Sequence, residues 1–416
     1  MFDNLLYQNA SNLLRDDILN NRLPGAILLS GPVASGKLTC ALEIARILSC
    51  SGDNQYHQRG HWLCTCPSCR RNKELANMNV LLAGPRNCSL EISAAKKAFI
   101  QAAFDNSSYL PAVRYLFIRS VRKLTLRFSQ ILWEGDDKLS KLAPIMAAID
   151  EQMEKLNPDK DLPETNKLEK LCDDISKNCE KLAASFMYDS LPINQIRRAS
   201  VWAHMKSVSG KKIFIIENAE RMLESVRNAL LKILEEPPED IVFILTTSNR
   251  GAVMPTILSR VRTYNFVQRT AREQKEVIQR VFHARGSEEN LLINDYLELF
   301  LPVKPESIKQ TARNYFNSLM AGQIPLSDSI VKECNGFDPR YLLKIFLTGI
   351  LEAARGDVLT PMRSEICGKI VEYERDCYNS VMIYNLTPAS ALERLSRDLA
   401  SIRRAFISQE MGGIAQ

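Results

Sequence analysis

Seven residues near the N-terminus, Gly31-Pro-Val-Ala-Ser-Gly36-Lys37, fit the first seven positions of the phosphate-loop pattern G-x-x-x-x-G-K-[ST]. Small residues at Gly31, Ser35 and Gly36 let backbone N–H groups close around phosphate oxygens at the start of a helix. Lys37 would add a point charge for the β and γ phosphates. The eighth position departs from the pattern: it is Leu38, where a hydroxyl would hold Mg²⁺. Thr39 arrives one residue late, about 100° further round a helix. The expectation is a phosphate loop of nucleotide-binding ancestry whose ATP and Mg²⁺ binding is compromised.

A second stretch, Lys211-Lys-Ile-Phe-Ile-Ile-Glu217-Asn218, resembles the strand that ends in two acids in nucleotide motors. There the first acid orients Mg²⁺ and the second positions or deprotonates water. Here the first is Glu217, one methylene longer than Asp. The second is Asn218, whose amide can hold water but cannot take its proton at neutral pH. Leu38 and Asn218 are independent departures, and both point to a nucleotide fold that has lost most of its hydrolysis.

Cys50, Cys64, Cys66 and Cys69 form a third group. Four thiolates can close a tetrahedral structural Zn²⁺ site. His57 and His61 lie within the same stretch, in a chain with only four histidines, and either could replace a thiolate. The bland alternative is a loop of reduced cysteines. An odd total of eleven cysteines argues against a disulfide framework. The other seven, Cys40, Cys88, Cys172, Cys179, Cys334, Cys367 and Cys377, read as small buried apolar residues.

The elements that must position these groups follow from apolar patterning. Ala26–Ser30 reads as a strand before the loop and 38–49 as a helix after it. Strand character returns at 211–217, a helix is expected over 224–235 until Pro237 and Pro238 stop it, and 241–247 is a further buried strand. Between about 89 and 190 the composition turns helical. Ile145, Ile149, Met153 and Leu156 share one face, as do Leu168, Leu171, Ile175 and Leu182, with a loop near 157–165. Beyond Gln268 nearly everything reads as helix, broken near Gly286, Pro302–Pro305, Gly336–Pro339 and Gly356–Pro361. Within the helical stretch Arg114, Arg119, Arg122, Lys123 and Arg127 form a run without acids, and the last four would share a helix face. Such a run could touch DNA phosphates, but is more often a solvated face.

With 416 residues the chain has length for two to four domains. Its 45% hydrophobic and 25% charged residues exclude a mainly disordered chain, and a net charge of +6 names no partner. No apolar run reaches membrane-span length, and Met1–Gln8 lacks a basic signal-peptide region; a cytoplasmic protein is expected.

The family signal lies in Asn228-Ala-Leu-Leu-Lys-Ile-Leu-Glu235-Glu236-Pro237-Pro238, the strand at 241–247, and Thr256-Ile-Leu-Ser259-Arg260, together with Asn21-Arg-Leu-Pro-Gly-Ala-Ile-Leu-Leu-Ser-Gly-Pro near the start. These resemble subunits of the bacterial DNA polymerase III clamp loader, an AAA+ assembly. The damaged nucleotide residues make the chain look like the non-motor delta-prime type rather than the gamma/tau motor type. The resemblance implies an α/β P-loop AAA+ domain with a parallel sheet over 1–266, holding a zinc module (about 50–69) and a helical insertion (about 89–190). It implies a helical lid over 267–328 and a helical collar for oligomerisation over 329–416.

The resemblance further implies that Arg260, in the family's Ser-Arg-Cys motif with Val261 replacing the cysteine, reaches ATP on a neighbouring subunit. Thr247 takes the sensor position, and Cys50, Cys64, Cys66 and Cys69 hold structural zinc, with Cys64 displaced by one residue. The implied partners are gamma/tau and delta subunits, the sliding clamp and primed DNA, in a hetero-oligomer away from membranes. The competing reading is an active gamma/tau-type ATPase with metal held through Thr39 and Glu217. A small-molecule phosphotransferase would leave the Glu-Glu-Pro-Pro and Ser-Arg segments without a purpose.

Overall fold

The computed structural model describes residues 1–52, 58–86, 88–188, 190–207, 210–284, 291–337, 341–356, 361–382, 384 and 386–412. It separates into two compact units, Met1–Leu297 and Glu298–Gln416. The first runs α1 (Ala10–Leu19), β1 (Ala26–Ser30), α2 (Lys37–Ser49), α3 (Pro67–Lys73) and β2 (Val80–Ala83). Five helices follow: α4 (Ser89–Phe104), α5 (Leu110–Thr125), α6 (Gln130–Trp133), α7 (Leu139–Glu154) and α8 (Thr165–Phe186). Then come α9 (Ile193–His204), β3 (Lys212–Ile216), α10 (Glu224–Glu235), β4 (Ile241–Thr247), α11 (Pro255–Leu258), β5 (Arg262–Asn265), α12 (Ala271–Phe282) and α13 (Ile293–Glu298).

The five strands form one parallel sheet in the order β2-β3-β4-β1-β5. A parallel sheet covered on both faces needs apolar side chains at every position, which is why β1, β3 and β4 read as unbroken apolar runs. Alternate residues go to opposite cores. Leu28, Leu81, Phe214, Phe243 and Leu245 pack on one face; Ile27, Leu29, Leu82, Ile213, Ile215 and Ile244 pack on the other, with α1 and α2. The helical block α4–α8 is continuous with the first of these cores through Phe99, Phe117, Phe128, Trp133, Ile149 and Ile175. The insertion is therefore part of the body of the domain. This parallel sheet with flanking helices fits the expected α/β AAA+ class.

The second unit is helical: α14 (Pro305–Ala321), α15 (Ser327–Glu333), α16 (Tyr341–Arg355), α17 (Pro361–Met382) and α18 (Pro388–Gly412). Its core gathers Phe316, Leu319, Phe346, Ile350, Ile370, Leu392 and Leu395. The breaks read at Gly286 and Pro339 lie outside the described residues. Among the described residues, no helix is long and apolar enough to cross a membrane.

Candidate functional site

The phosphate-loop sequence lies where its chemistry requires, between the end of β1 and the first turn of α2. Gly36 sits at φ +96°, and a side chain there would press on Leu5 and Arg269. Lys37, however, turns back on its own loop. Its Nζ donates to the carbonyls of Gly31 at 2.6 Å and Pro32 at 2.5 Å, and lies 3.4 Å from Ser35 Oγ. Burial lowers its pKa to about 8, although Glu220 and Glu217 pull the other way. Arg269, just after β5, braces the loop from outside, donating to Ala34 O at 2.7 Å and Leu6 O at 2.8 Å. Leu38 is buried in the core beneath α2 and offers no metal ligand.

Glu217 follows β3 and is 6% exposed. Both of its carboxylate oxygens are taken. Arg86 Nη1 donates to Oε1 at 2.9 Å, and Arg127 Nη2 donates to Oε2. Arg127 is fully buried and also donates to Gly84 O at 3.0 Å and to Lys123 O. Arg86 reaches on to Glu91 at 3.0 Å, and Lys123 pairs with the other Glu91 oxygen. Burial of Glu91 opposes its charge, but Lys123 and then Arg86 hold its pKa at about 2. Gly84 lets β2 come this close: at φ +111°, a Cβ would lie 2.4 Å from Glu217 O. Two guanidinium groups thus occupy both oxygens of Glu217.

Asn218 and Thr247 are also engaged by hydrogen bonds. Asn218 sits at φ +56° and donates from Nδ2 to Pro85 O at 2.6 Å. Thr247 Oγ1 donates to Glu220 Oε2 at 2.8 Å, and Ser248 Oγ to Glu220 Oε1 at 2.6 Å. Burial opposes ionisation of Glu220, but the hydrogen bonds from Ser248 and Thr247 keep its carboxyl below the usual range. Sequence reasoning missed Arg86, Arg127 and Glu220, because nothing local marks them as partners of the motif residues.

The basic run is corrected by the structure. Arg119 donates to the carbonyls of Asn72 and Lys73, Arg122 pairs with Asp150, Lys123 with Glu91, and Arg127 with Glu217. Arg114 caps carbonyls at 156, 157 and 160. Arg119 and Arg127 tie the inserted helices to the domain, while Arg114, Arg122 and Lys123 bond within the insertion, so each of these five side chains has a protein partner.

Arg260 lies apart from this cluster, just after α11. Its Nη2 pairs with Glu235 and its Nη1 donates to Thr256 O at 2.8 Å, while Nε has no hydrogen-bond partner. The side chain as a whole is about 29% exposed, although Nε itself is shielded from solvent.

Cys50, Cys64, Cys66 and Cys69 come together, with all four Sγ atoms within 4.8 Å of one another and all four residues buried. Cys50 Sγ and Cys64 Sγ are 3.7 Å apart. That is far beyond a disulfide bond and close to the ~3.8 Å that two sulfurs span on a tetrahedral zinc with Zn–S of about 2.3 Å. Sulfurs accept N–H groups from Gly60 at 3.2 Å, Gly52 at 3.4 Å, Cys69 at 3.4 Å and Arg46 at 3.1 Å, as thiolates do. The donor set fits a metal such as Zn²⁺, which would cross-link the end of α2 to α3. The one-residue displacement of Cys64 does not exclude it from the group. His61 Nδ1 accepts from Leu63 N and is not part of the cluster; His57 lies outside the described residues. Of the other seven cysteines, six are buried and Cys367 is half-buried.

The sequence model of the family described as "DNA polymerase III, delta subunit" matches residues 7–133 and 130–270. The chain belongs to this family. Its relatives place it among clamp-loader-related subunits. A delta' subunit of Bacillus subtilis is 41% identical over 58 residues, 14% of this chain and 18% of that protein. A delta' subunit of Haemophilus influenzae is 39% identical over 57 residues, 14% and 17% of the two chains. The gamma/tau subunit of Mycobacterium bovis is 37% identical over 75 residues, 18% and 13% of the two chains. These matches span less than a fifth of each relative, and they do not separate the delta' type from gamma/tau. A solved gamma-subunit-related protein of Thermotoga maritima aligns at 19% identity and TM-score 0.30, over 51% of this chain and 79% of that one; a likeness at that score carries no argument.

Proposed function

We propose that this chain is a non-motor, delta-prime-type subunit of the DNA polymerase III clamp loader. It would act in the cytoplasm, in a hetero-oligomer with gamma/tau and delta subunits, helping to open the ring-shaped sliding clamp and place it on primed DNA. Its own ATPase is lost, and Arg260 serves a neighbouring motor subunit. Residues 267–328 would act as lid and 329–416 as collar.

The observation that carries this reading is the capture of Glu217 by Arg86 and Arg127. A carboxylate with each oxygen held by a guanidinium group has its charge already compensated and competes poorly for a metal ion. Leu38 supplies no hydroxyl, and Asn218 cannot act as a base. The three positions that would orient Mg²⁺ and activate water are thus all altered or engaged, even where Gly31, Ser35, Gly36 and Lys37 could still cradle a phosphate. Arg260, by contrast, is planar, permanently charged and partly exposed, held by Glu235 and its own helix. Those are the properties of an arginine that stabilises charge on a phosphoryl group bound elsewhere.

The alternative, an active gamma/tau-type motor, draws on the 37% identity to a gamma/tau subunit. It requires Glu217 to leave both arginines. ATP turnover by the purified chain separates the two: the proposed role gives none above background, and sustained turnover supports the motor. Asn218→Glu is expected to restore nothing by itself, since the metal position would still be closed.

A further inference from the structure

Arg46 belongs to none of the motifs above, yet it is 1% exposed and its guanidinium bonds to Glu43, Gly60, His61 and Cys69. It lies on α2, the helix that begins with Lys37. Its Nε donates to Glu43 at 3.0 Å and its Nη2 to Glu43 Oε1 at 2.5 Å. Nη2 also donates to Gly60 O at 2.9 Å, and Nη1 to His61 O at 3.0 Å and to Cys69 Sγ at 3.1 Å. The Trp62 ring covers it at 5.3 Å, and Lys73 Nζ lies 5.4 Å from the same ring while donating to Cys64 O at 3.1 Å.

Four thiolates around a divalent ion carry a net charge of −2, and burying that charge is unfavourable without compensation. Arg46 and Lys73 are the cations beside the sulfurs. Glu43 balances Arg46 overall, but it also fixes the fork so that Nη1 is aimed at sulfur. The carbonyls of Gly60 and His61 then hold the backbone that leads into Cys64. A buried ion pair with only a packing role would not need to direct one N–H at a ligand sulfur and two more at the loop delivering another.

We propose that Arg46, supported by Glu43 and Lys73, is the positioning and charge-balancing residue of the four-cysteine site, so that a zinc-type divalent metal fastens the cysteine module to the helix carrying Lys37. This rests on the cysteines binding metal, and the two claims fail separately. Wild-type protein should carry about one zinc per chain by elemental analysis; absence of zinc, with no uptake of added Zn²⁺ or Co²⁺, would remove the metal reading itself.

If wild type binds zinc, the rate of zinc transfer to a chromogenic chelator tests Arg46. Arg46→Lys, and the charge-neutral pair Glu43→Gln with Arg46→Gln, should release zinc on the order of 10–100-fold faster. The thiolate-to-cobalt charge-transfer band of the Co²⁺ form should move to lower energy, because an N–H···S bond that stabilised the sulfur lone pair is gone. A general loosening of the fold would not produce that shift. Release within threefold of wild type with an unmoved band overturns the proposal. If the Arg46 variants do not fold, Lys73→Met decides: release at least threefold faster supports the charge-balancing role, and an unchanged rate overturns it.

Discussion

Replacing Arg127 by methionine tests the clamp at the end of β3 most severely. The guanidinium has no solvent exposure and binds Glu217, Gly84 O at 3.0 Å and Lys123 O. Methionine keeps an unbranched stem but leaves Glu217 facing Arg86 alone and strands two carbonyls. Removing one partner of a buried ion pair costs about 3–5 kcal/mol, and stranded buried acceptors cost about 1–3 kcal/mol each. Because Arg86 keeps one Glu217 oxygen paired, about 4 kcal/mol in total is expected. Glu217→Gln leaves the buried Arg127 cation without its carboxylate, so about 3–5 kcal/mol is expected there too, lessened by the Gln carbonyl, which can still accept one guanidinium N–H, and by the two carbonyls that Arg127 retains. Combining Arg127→Met with Glu217→Leu removes both charges together. It should cost less than the sum of the two single changes by at least ~1.5 kcal/mol, the signature of direct coupling. Urea unfolding followed by tryptophan fluorescence is suited to this, because Trp133 packs on Phe128 and its Nε1 donates to Arg127 O at 2.8 Å. Mg²⁺ should add nothing to whatever shift in the wild-type midpoint ATP produces in its absence. A cost below ~1 kcal/mol for Arg127→Met, strictly additive changes, or stabilisation of wild type by Mg²⁺-ATP well beyond that by ATP in EDTA would overturn this expectation.

Two further outcomes follow from the same structure. Arg260 is held by Glu235, 53% exposed, in a partly solvated pair worth about 0.2–1 kcal/mol; Glu235→Gln should therefore raise turnover of the assembled complex by no more than roughly fivefold, and a loss as large as that of Arg260→Ala would show that Glu235 does not merely restrain the finger. Glu374 on α17 is 8% exposed, has an unpartnered Oε1, and is pushed by burial to a pKa of about 8. The unfolded carboxyl ionises near ~4.3, so the folded state binds the extra proton between these values and stability falls as pH rises from ~4.3 to ~8, by on the order of 5 kcal/mol at most. Glu374→Gln removes that loss: in urea unfolding its advantage should be small at pH 4.5 and several kcal/mol at pH 9, and a pH-independent difference would exclude the effect.

What the sequence made legible depended on how local the signal was. The helix Glu224–Glu235 and the strand Ile241–Thr247 match the elements read from the chain, because an apolar pattern bounded by Pro237 and Pro238 contains all the information needed. The four cysteines are likewise a local cluster, and the structure gathers all of them. β5 was not legible: Arg262-Thr-Tyr-Asn is a polar edge strand in which only Tyr264 is buried, so no apolar run announces it. The basic run was misread for a different reason. The acids that neutralise it stand 28 residues away for Arg122, 32 for Lys123 and 90 for Arg127. Charge is visible in a sequence, but its partner is a property of the fold. The same holds for Glu217, whose role changes once Arg86 arrives from 131 residues away.

The central claim is that this subunit hydrolyses nothing itself and lends Arg260 to a neighbour. Single-turnover ATP hydrolysis, measured on the isolated chain and on the complex reconstituted with its motor subunits, tests both halves together. No turnover above background is expected from the isolated chain. Arg260→Ala should slow the motor site it faces on the order of 10³-fold or more, with assembly intact by size-exclusion chromatography. Sustained hydrolysis by the isolated chain, or a complex whose every site turns over at the wild-type rate with Arg260→Ala, would contradict that claim.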